Sequence, residues 1–168
     1  LHDALPILLG DIEALPLQRH SVDISWSNLA VQWCDSLAQG IRELHRVTRP
    51  GGSVLFSTLA DASLHEMRSA WQALDNYQHV NTFLPETAIR EACDGLALRL
   101  ESETVTQHFP DVLSALQSLK GIGATHIHQG RASGLLTRQR LMQLQQHWPQ
   151  DAQGYRLSYQ LITGVIDC

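Results

Sequence analysis

The chain has 168 residues, a net charge of -5 at pH 7, and 43% hydrophobic against 17% charged residues, which is the size and composition of one globular domain with its own core. The acidic balance argues against a general nucleic-acid binder, and no apolar run is long enough to predict a membrane span. Cys34, Cys93 and Cys168 form no CxxC pair and no signal peptide is visible, so we expect a cytoplasmic protein with free thiols.

The chain begins at Leu1 without a methionine, and its first strand pattern follows almost at once. We therefore expect a fragment of a longer protein, and the sequence leaves open whether residues 1–7 are native to the fold. Residues 10–17 predict a strand end and a loop, with Asp11 free to point into a crevice.

A short apolar run from Val22 ends in the polar pair Ser27-Asn28, before a second apolar segment that closes at Trp33. This pattern predicts a buried strand that stops at Ser27. In an open parallel sheet, the carboxyl ends of the strands form the edge where ligands bind. A core strand followed by an ordinary loop fits the pattern as well, and the residues alone leave both interpretations open.

The next segment predicts a βαβ unit. Asp35 is a candidate helix start, and four apolar residues then recur at helical spacing: Leu37, Ile41, Leu44 and Val47. The turn signal Pro50-Gly51-Gly52 ends this helix, and residues 53–59 predict a second buried strand. Two strands connected in this way are expected to be parallel, with a right-handed crossover.

The rest of the pattern predicts further helices at 63–77, 85–93, 111–119 and 137–148, and strands at 96–108 and 155–166. Thr137 is the expected cap of the last helix. Residues 120–125 predict a loop of small residues, in which Gly121 and Gly123 would allow the backbone to bend.

Three segments together resemble the later motifs of class I S-adenosylmethionine-dependent methyltransferases: Gly-Asp-Ile-Glu-Ala-Leu-Pro at 10–16, Trp-Ser-Asn-Leu-Ala-Val-Gln-Trp at 26–33, and residues 42–52. Residues 118–126, Ser-Leu-Lys-Gly-Ile-Gly-Ala-Thr-His, are similar to the malonyl-carrier-protein O-methyltransferases of biotin synthesis. The resemblance runs from about Leu9 to Ile166. It implies an α/β, Rossmann-like fold with a mostly parallel sheet, an antiparallel last strand and helical lid insertions.

The family's first strand, glycine-rich loop and ribose-binding acid have no counterpart here, since no GxGxG precedes Asp11. We therefore expect residues 1–168 to be one partial methyltransferase domain that binds the cofactor poorly or not at all by itself. Residues 8–59, 85–108 and 153–168 would form the sheet core. Residues 60–84 and 109–152 would form lid or insertion segments.

The resemblance implies S-adenosyl-L-methionine as cofactor. Asp11 would accept a hydrogen bond from the adenine amino group with the Ile12 backbone alongside, and Ser27, Asn28 and Leu29 would line the crevice by the methionine part. Considered without the resemblance, Asp11 is typical of a loop or cap acid, and Asn28 of a turn-forming residue.

Three residues are assigned to substrate contact: Trp33, Lys120 and His126. The alternatives are a core position for Trp33, a helix-end loop for Lys120 and a surface position for His126. Three arginines, Arg42, Arg46 and Arg49, are expected to share one helix face and to contact an acidic acyl carrier protein. A solvated face paired with Glu43 is the alternative.

The implied reaction transfers a methyl group to the free carboxylate of a malonyl thioester on acyl carrier protein, early in biotin synthesis. No general base is required, because a carboxylate is already ionised at neutral pH. Two alternatives stay open: a methyltransferase of the same fold acting on another small carboxylic acid, and an inactive fragment that binds only a partner or nothing. The histidines at 108, 126, 128 and 147 lack zinc-site spacing, so no metal site is predicted.

Overall fold

The computed structural model describes residues 7–121 and 136–168, and for Lys120 and Gly121 it describes the backbone alone. The elements in these ranges are β1 (Val22–Asn28), a 3-10 turn (Val31–Trp33), α1 (Leu37–Val47), β2 (Thr48–Leu59), α2 (His65–Gln72), α3 (Glu86–Ala92), β3 (Ala97–Phe109), α4 (Val112–Gly121), α5 (Arg138–His147), β4 (Gln150–Asp151) and β5 (Gly154–Asp167). None of the described helices is both long enough and apolar enough to cross a bilayer.

The strands form one mixed sheet in the order β1-β2-β5-β3, with the short β4 paired to β5. β1 and β2 are parallel, as the βαβ pattern predicts. Backbone hydrogen bonds join Gly51 to Cys168 and Ala60 to Gln160, so the residue numbers run in opposite directions along β2 and β5. The last strand is therefore antiparallel to β2, which confirms that prediction.

The chain divides into two compact units. The described residues of segments 1–58, 84–102 and 162–168 form the first unit, and those of 59–83 and 103–161 form the second. The first unit contains α1, α3 and the β1–β2 pair. The second contains α2, α4 and α5.

In the first unit, the apolar stripe of α1 is buried as its spacing predicts: Leu37, Ile41, Leu44 and Val47 are each at most 7% exposed. The helix begins one residue later than Asp35 would place it. Ser36 is the N-cap, and its side-chain oxygen accepts a hydrogen bond from the Gln39 backbone N–H at 3.3 Å.

The position of β1 agrees with the sequence, but the buried face of the strand does not. Ile24 and Trp26 are 62% and 75% exposed, whereas Ser25 and Ser27 are 8% and 6% exposed. Alternate residues of a strand point to opposite faces, so the register that turns the serines inward turns the apolar residues outward. Tertiary structure therefore overturns the prediction of a buried apolar strand.

The second unit has its own buried cluster, built from α2, α4, α5 and the first half of β5. Its members include Leu64, Met67, Trp71, Val112, Ala115, Leu119, Leu144, Trp148 and Leu157. α5 begins as predicted, since Thr137 Oγ1 accepts a hydrogen bond from the Arg140 N–H at 3.2 Å. α2 ends at Gln72, before the predicted position 77. Beyond the helix, the N–H groups of Leu74 and Asp75 both donate to the Trp71 carbonyl.

Glu66 is a fully buried carboxylate in this unit, at 0% exposure. One carboxylate oxygen accepts a hydrogen bond from the Ser158 N–H at 3.0 Å, and the other from the Ser158 hydroxyl at 2.5 Å. The hydroxyls of Ser158 and Thr106 also lie 2.9 Å apart. Buried charges are tolerated in proteins when hydrogen bonds of this kind satisfy them, so Glu66 fastens α2 to β5.

Candidate functional site

The carboxyl ends of β1 and β2 lie side by side in the first unit, where Asn28 pairs with Ser57. The chain leaves β1 through Leu29, whose φ of 48° is left-handed. The Leu29 N–H donates to the carbonyl and hydroxyl oxygens of Ser57, at 3.1 and 3.0 Å. The Ser57 hydroxyl in turn donates to Asn28 Oδ1 at 2.6 Å. Asn28 and Leu29 are therefore held in a turn fastened to the end of β2.

Ser27 is the polar residue of this edge that the fold leaves unsatisfied. Its hydroxyl oxygen is buried, and no hydrogen-bond partner for it occurs among the described residues. Ser25, two residues earlier on the same face, has a hydroxyl that lies 2.7 Å from Thr48 Oγ1 and donates to the Leu44 carbonyl at 3.3 Å. Since buried hydroxyls normally have partners, Ser27 is suited to meet a polar ligand group at the end of β1.

Asp11 lies in a tight turn of 11–14 that its own side chain stabilises. Its Oδ1 accepts a hydrogen bond from the Glu13 N–H at 2.9 Å, and its carbonyl accepts one from the Ala14 N–H at 3.0 Å. Asp11 is exposed and Ile12 is half-buried. The turn-forming role expected from the residue type is therefore present. An ionised carboxylate has further acceptor positions for a ligand amine, so the two roles are compatible.

Glu13 connects this turn to α1, a role that sequence reasoning missed. Its carboxylate accepts hydrogen bonds from the Asp35 and Ser36 N–H groups at 2.8 and 2.9 Å, and its carbonyl accepts one from the Gln39 side chain at 3.2 Å. Negative charge at a helix N-terminus is favourable. The sequence held one signal for this role. The first N–H groups of every helix lack partners within the helix, and Glu13 is an acidic residue that can accept hydrogen bonds from them.

The pKa of the Cys34 thiol is affected by burial and by the charges of this loop. Burial, together with the negative charges of Glu13 and Asp11, raises the pKa of the Cys34 thiol to about 11. The thiol is therefore protonated at neutral pH. The carboxylates of the 11–14 turn create a negative potential beside the start of α1, which favours cationic or hydrogen-bond-donating groups of a ligand.

Trp33 ends the 3-10 turn and is 38% exposed, so it is not the core residue of the alternative interpretation. Lys120 and Gly121 lie in α4 rather than in the predicted loop, because the helix continues to Gly121. The side chain of Lys120, and all of Gly123 and His126, lie outside the described residues. Of the three expected substrate residues, Trp33 is the one whose side chain lies in the described part of the chain.

The predicted three-arginine helix face is wrong in one respect. α1 ends at Val47, so Arg49 lies on β2, where it forms an ion pair with Asp23 at 2.9 Å. Arg42 is exposed on α1, and no ion-pair partner for it occurs in the described part of the chain. Residues three or seven positions apart share a face only within a continuous helix. Here the helix ends at Val47 and the chain continues as a strand.

Arg46 is bound within its own unit. Its guanidinium contacts both carboxylate oxygens of Glu43, at 2.7 and 2.8 Å, and donates to the carbonyls of Leu17 and Leu15 at 2.9 and 3.1 Å. Hydrogen bonds from Arg46 hold the pKa of Glu43 below its usual range. Glu43 also accepts from the Leu15 N–H at 2.9 Å. The pair therefore attaches the 15–17 loop to α1. For Arg46, this is the pairing with Glu43 that the alternative interpretation predicts.

Within 7–121 and 136–168, no group of three or more His, Cys, Asp or Glu residues has the arrangement of a metal site. His108 is within 3.1 Å of Asp151. His126 and His128 lie outside these ranges.

Comparison with known proteins identifies close relatives. Residues 2–56 match the family model described as a methyltransferase domain. The malonyl-[acyl-carrier protein] O-methyltransferase of Erwinia billingiae is 60% identical over 166 residues, covering 99% of this chain and 66% of that protein. The protein of the same description from Salmonella typhimurium is 54% identical over 160 residues, covering 95% and 64%. The chain thus spans just under two thirds of the length of these curated relatives.

Solved structures with low sequence identity share the fold. The YcgJ protein of Bacillus subtilis superposes with a TM-score of 0.52 at 16% identity, covering 94% of this chain and 69% of that one. A Bacillus halodurans protein described as a candidate methyltransferase gives a TM-score of 0.51 at 15% identity, covering 94% and 68%. These similarities confirm the Rossmann-like fold predicted from the sequence.

Proposed function

Because this chain belongs to the family of malonyl-[acyl-carrier protein] O-methyltransferases, we propose that the protein methylates the free carboxylate of a malonyl thioester on acyl carrier protein, with S-adenosyl-L-methionine as donor. The observation that carries the proposal is the extent of the sequence identity, which runs through both compact units and not through one motif alone. The resemblance assigns this reaction to an early step of biotin synthesis.

The residues at the ends of β1 and β2 fit a polar cofactor. The Ser27 hydroxyl lacks a partner among the described residues, and the Asp11 carboxylate is exposed on the 11–14 turn of the same unit. In the proposal Asp11 and the Ile12 backbone hold the adenine, and Ser27 and Asn28 hold the methionine part. Leu29 contributes its side chain, because its N–H is already bonded to Ser57.

S-adenosylmethionine supplies an electrophilic methyl group on a sulfonium centre, so the protein's task is positioning and the exclusion of water. The malonyl carboxylate is ionised at neutral pH and needs no general base to attack. Trp33, Lys120 and His126 are proposed substrate contacts. Segments 60–84 and 109–152 are proposed to act as a lid, and segments 8–59, 85–108 and 153–168 as the sheet core.

The carrier-protein contact is proposed for Arg42, with Arg49 and Arg46 in support. Arg42 is exposed and has no ion-pair partner within the described ranges, whereas Arg46 is already held by Glu43. An exposed arginine attracts an acidic partner at long range at little desolvation cost. A cytoplasmic location is part of the proposal, supported by the free thiols of the three cysteines.

Methyl transfer to a panel of acceptors tests the proposal. The full-length protein is incubated with S-adenosylmethionine and, separately, malonyl-carrier protein, acetyl-carrier protein and free small dicarboxylic acids, and methyl esters are measured by mass spectrometry. We expect ester on the malonyl-carrier protein alone, because the acetyl thioester has no free carboxylate. Preferred methylation of a free acid would instead support the alternative methyltransferase, and no methylation of any acceptor would refute the proposal.

The contact with the carrier protein has its own matched test. Arg42→Ala is expected to raise KM for malonyl-carrier protein several-fold at low salt, with little change in kcat, because long-range attraction acts on association. Arg19→Ala, another exposed arginine of the first unit, is the control. Equal effects of the two variants would show that only net charge matters.

A further inference from the structure

A cavity of about 370 Å³ lies wholly within the second unit, beside α2 and the segment that follows it. Its volume is in the range of small-molecule sites, roughly 300 to 1,000 Å³. The carboxamide side chains of Gln72, Asn76 and Gln78 are part of its lining, together with the exposed ring of Tyr77. Carboxamides both donate and accept hydrogen bonds, as peptide amides do.

One wall of the cavity is a stack of two rings. The Trp71 and His79 rings are nearly parallel, with 3.8 Å between their centroids. On α5, the Arg140 guanidinium lies 5.5 Å from the centre of the Trp71 ring. Trp71 belongs to the buried cluster of the unit, so the wall is anchored in the core. A flat aromatic wall of this kind suits the aliphatic parts of a ligand.

The charged groups of the lining already make hydrogen bonds within the unit. Asp75 accepts a hydrogen bond from Arg140 and lies 2.8 Å from His79 Nε2. The Arg68 guanidinium donates to the carbonyls of Asp61 and Ser63, at 3.1 and 3.3 Å. A cation of a ligand would have to compete with Arg140 for Asp75, whereas Arg68 is bonded to uncharged carbonyl oxygens. The cavity therefore disfavours a cationic ligand, and its carboxamides favour a ligand rich in amides.

We propose that this cavity binds the amide-bearing pantetheine arm through which a carrier protein presents its thioester. The inference rests on the proposed function and identifies where that substrate's arm is held. The arm is a neutral chain whose amides match the carboxamides of the lining and whose methyl groups match the Trp71–His79 wall.

Two thioesters that share the malonyl group but differ in the pantetheine arm distinguish an effect on binding of the arm from an effect on methyl transfer. The full-length protein is assayed with malonyl-pantetheine and with the ethyl thioester of malonate, which lacks the amides. The double variant Gln72→Ala/Asn76→Ala removes two exposed carboxamides, and Gln143→Ala, an exposed glutamine of α5 outside the lining, is the matched control. Thermal melting of each variant checks that the fold is intact.

The double variant is expected to lose about tenfold in kcat/KM on malonyl-pantetheine and nothing on the ethyl thioester, since each lost hydrogen bond weakens binding several-fold. The control should match the unsubstituted protein on both substrates. An equal loss on both thioesters, or no loss on either, would overturn the inference while leaving the proposed function intact. If the unsubstituted protein methylates neither thioester, nor malonyl-carrier protein, the proposed function fails and this site fails with it.

Discussion

Replacing Ser27 by alanine is expected to weaken S-adenosylmethionine binding about tenfold without destabilising the fold. The Ser27 hydroxyl is buried and unpartnered within the described residues, so alanine removes a desolvated polar group and breaks no hydrogen bond there. A buried polar group without a hydrogen bond costs about 1 to 3 kcal/mol of stability, and the alanine variant regains part of this free energy. We therefore expect the free energy of unfolding to stay constant or to rise by up to about 1 kcal/mol.

The loss of affinity follows from the same atom. A hydrogen bond to a charged ligand contributes about 1.5 kcal/mol or more, and about 1.4 kcal/mol corresponds to a tenfold change in Kd. Calorimetric titration of S-adenosylmethionine into the full-length protein measures this change. Urea unfolding, followed by circular dichroism, measures stability in the same preparations.

Ser25→Ala is the matched control, because Ser25 lies on the same strand and the same buried face. Its hydroxyl is bonded to Thr48 and Leu44, so its loss should cost about 1 kcal/mol of stability and leave cofactor affinity unchanged. The reasoning would be refuted if Ser27→Ala kept full affinity. It would also be refuted if the two variants lost equal stability.

Glu66→Ala should destabilise the fold by about 3 kcal/mol, because it removes two hydrogen bonds and leaves the buried Ser158 N–H unsatisfied, whereas Glu66→Gln should cost about 1 kcal/mol; urea unfolding that ranks the two variants equally would contradict this. Gly164→Ala should lower stability by at least about 2 kcal/mol, since the new Cβ would lie 2.3 Å from the Phe56 ring, and an unchanged Tm would count against this close packing. Burial raises the pKa of the Cys93 thiol to about 11, so its alkylation by iodoacetamide should be slow at pH 8 and accelerate as pH rises towards 11; rapid labelling at pH 8, read by mass spectrometry, would refute this.

Local patterns in the sequence were enough for the elements near the site. The spacing from Leu37 to Val47 predicted α1 and its buried face, and Thr137 predicted the start of α5. Both signals depend on residues within a few positions of one another. The parallel β1–β2 pair followed from the strand-helix-strand order, because a connection of that kind returns the chain to the same edge of the sheet.

The sequence by itself determined the α/β class, the positions of most helices and strands, and the stretch in which Asp11, Ser27 and Asn28 occur. Tertiary structure decided which face of β1 is buried, that Arg49 lies on a strand, and that Glu13 and Glu43 hold the 11–17 loop against α1. Periodicity records spacing along one element, whereas burial and hydrogen-bond partners depend on residues 20 to 30 positions away. Such partners are set by packing, which no local pattern encodes.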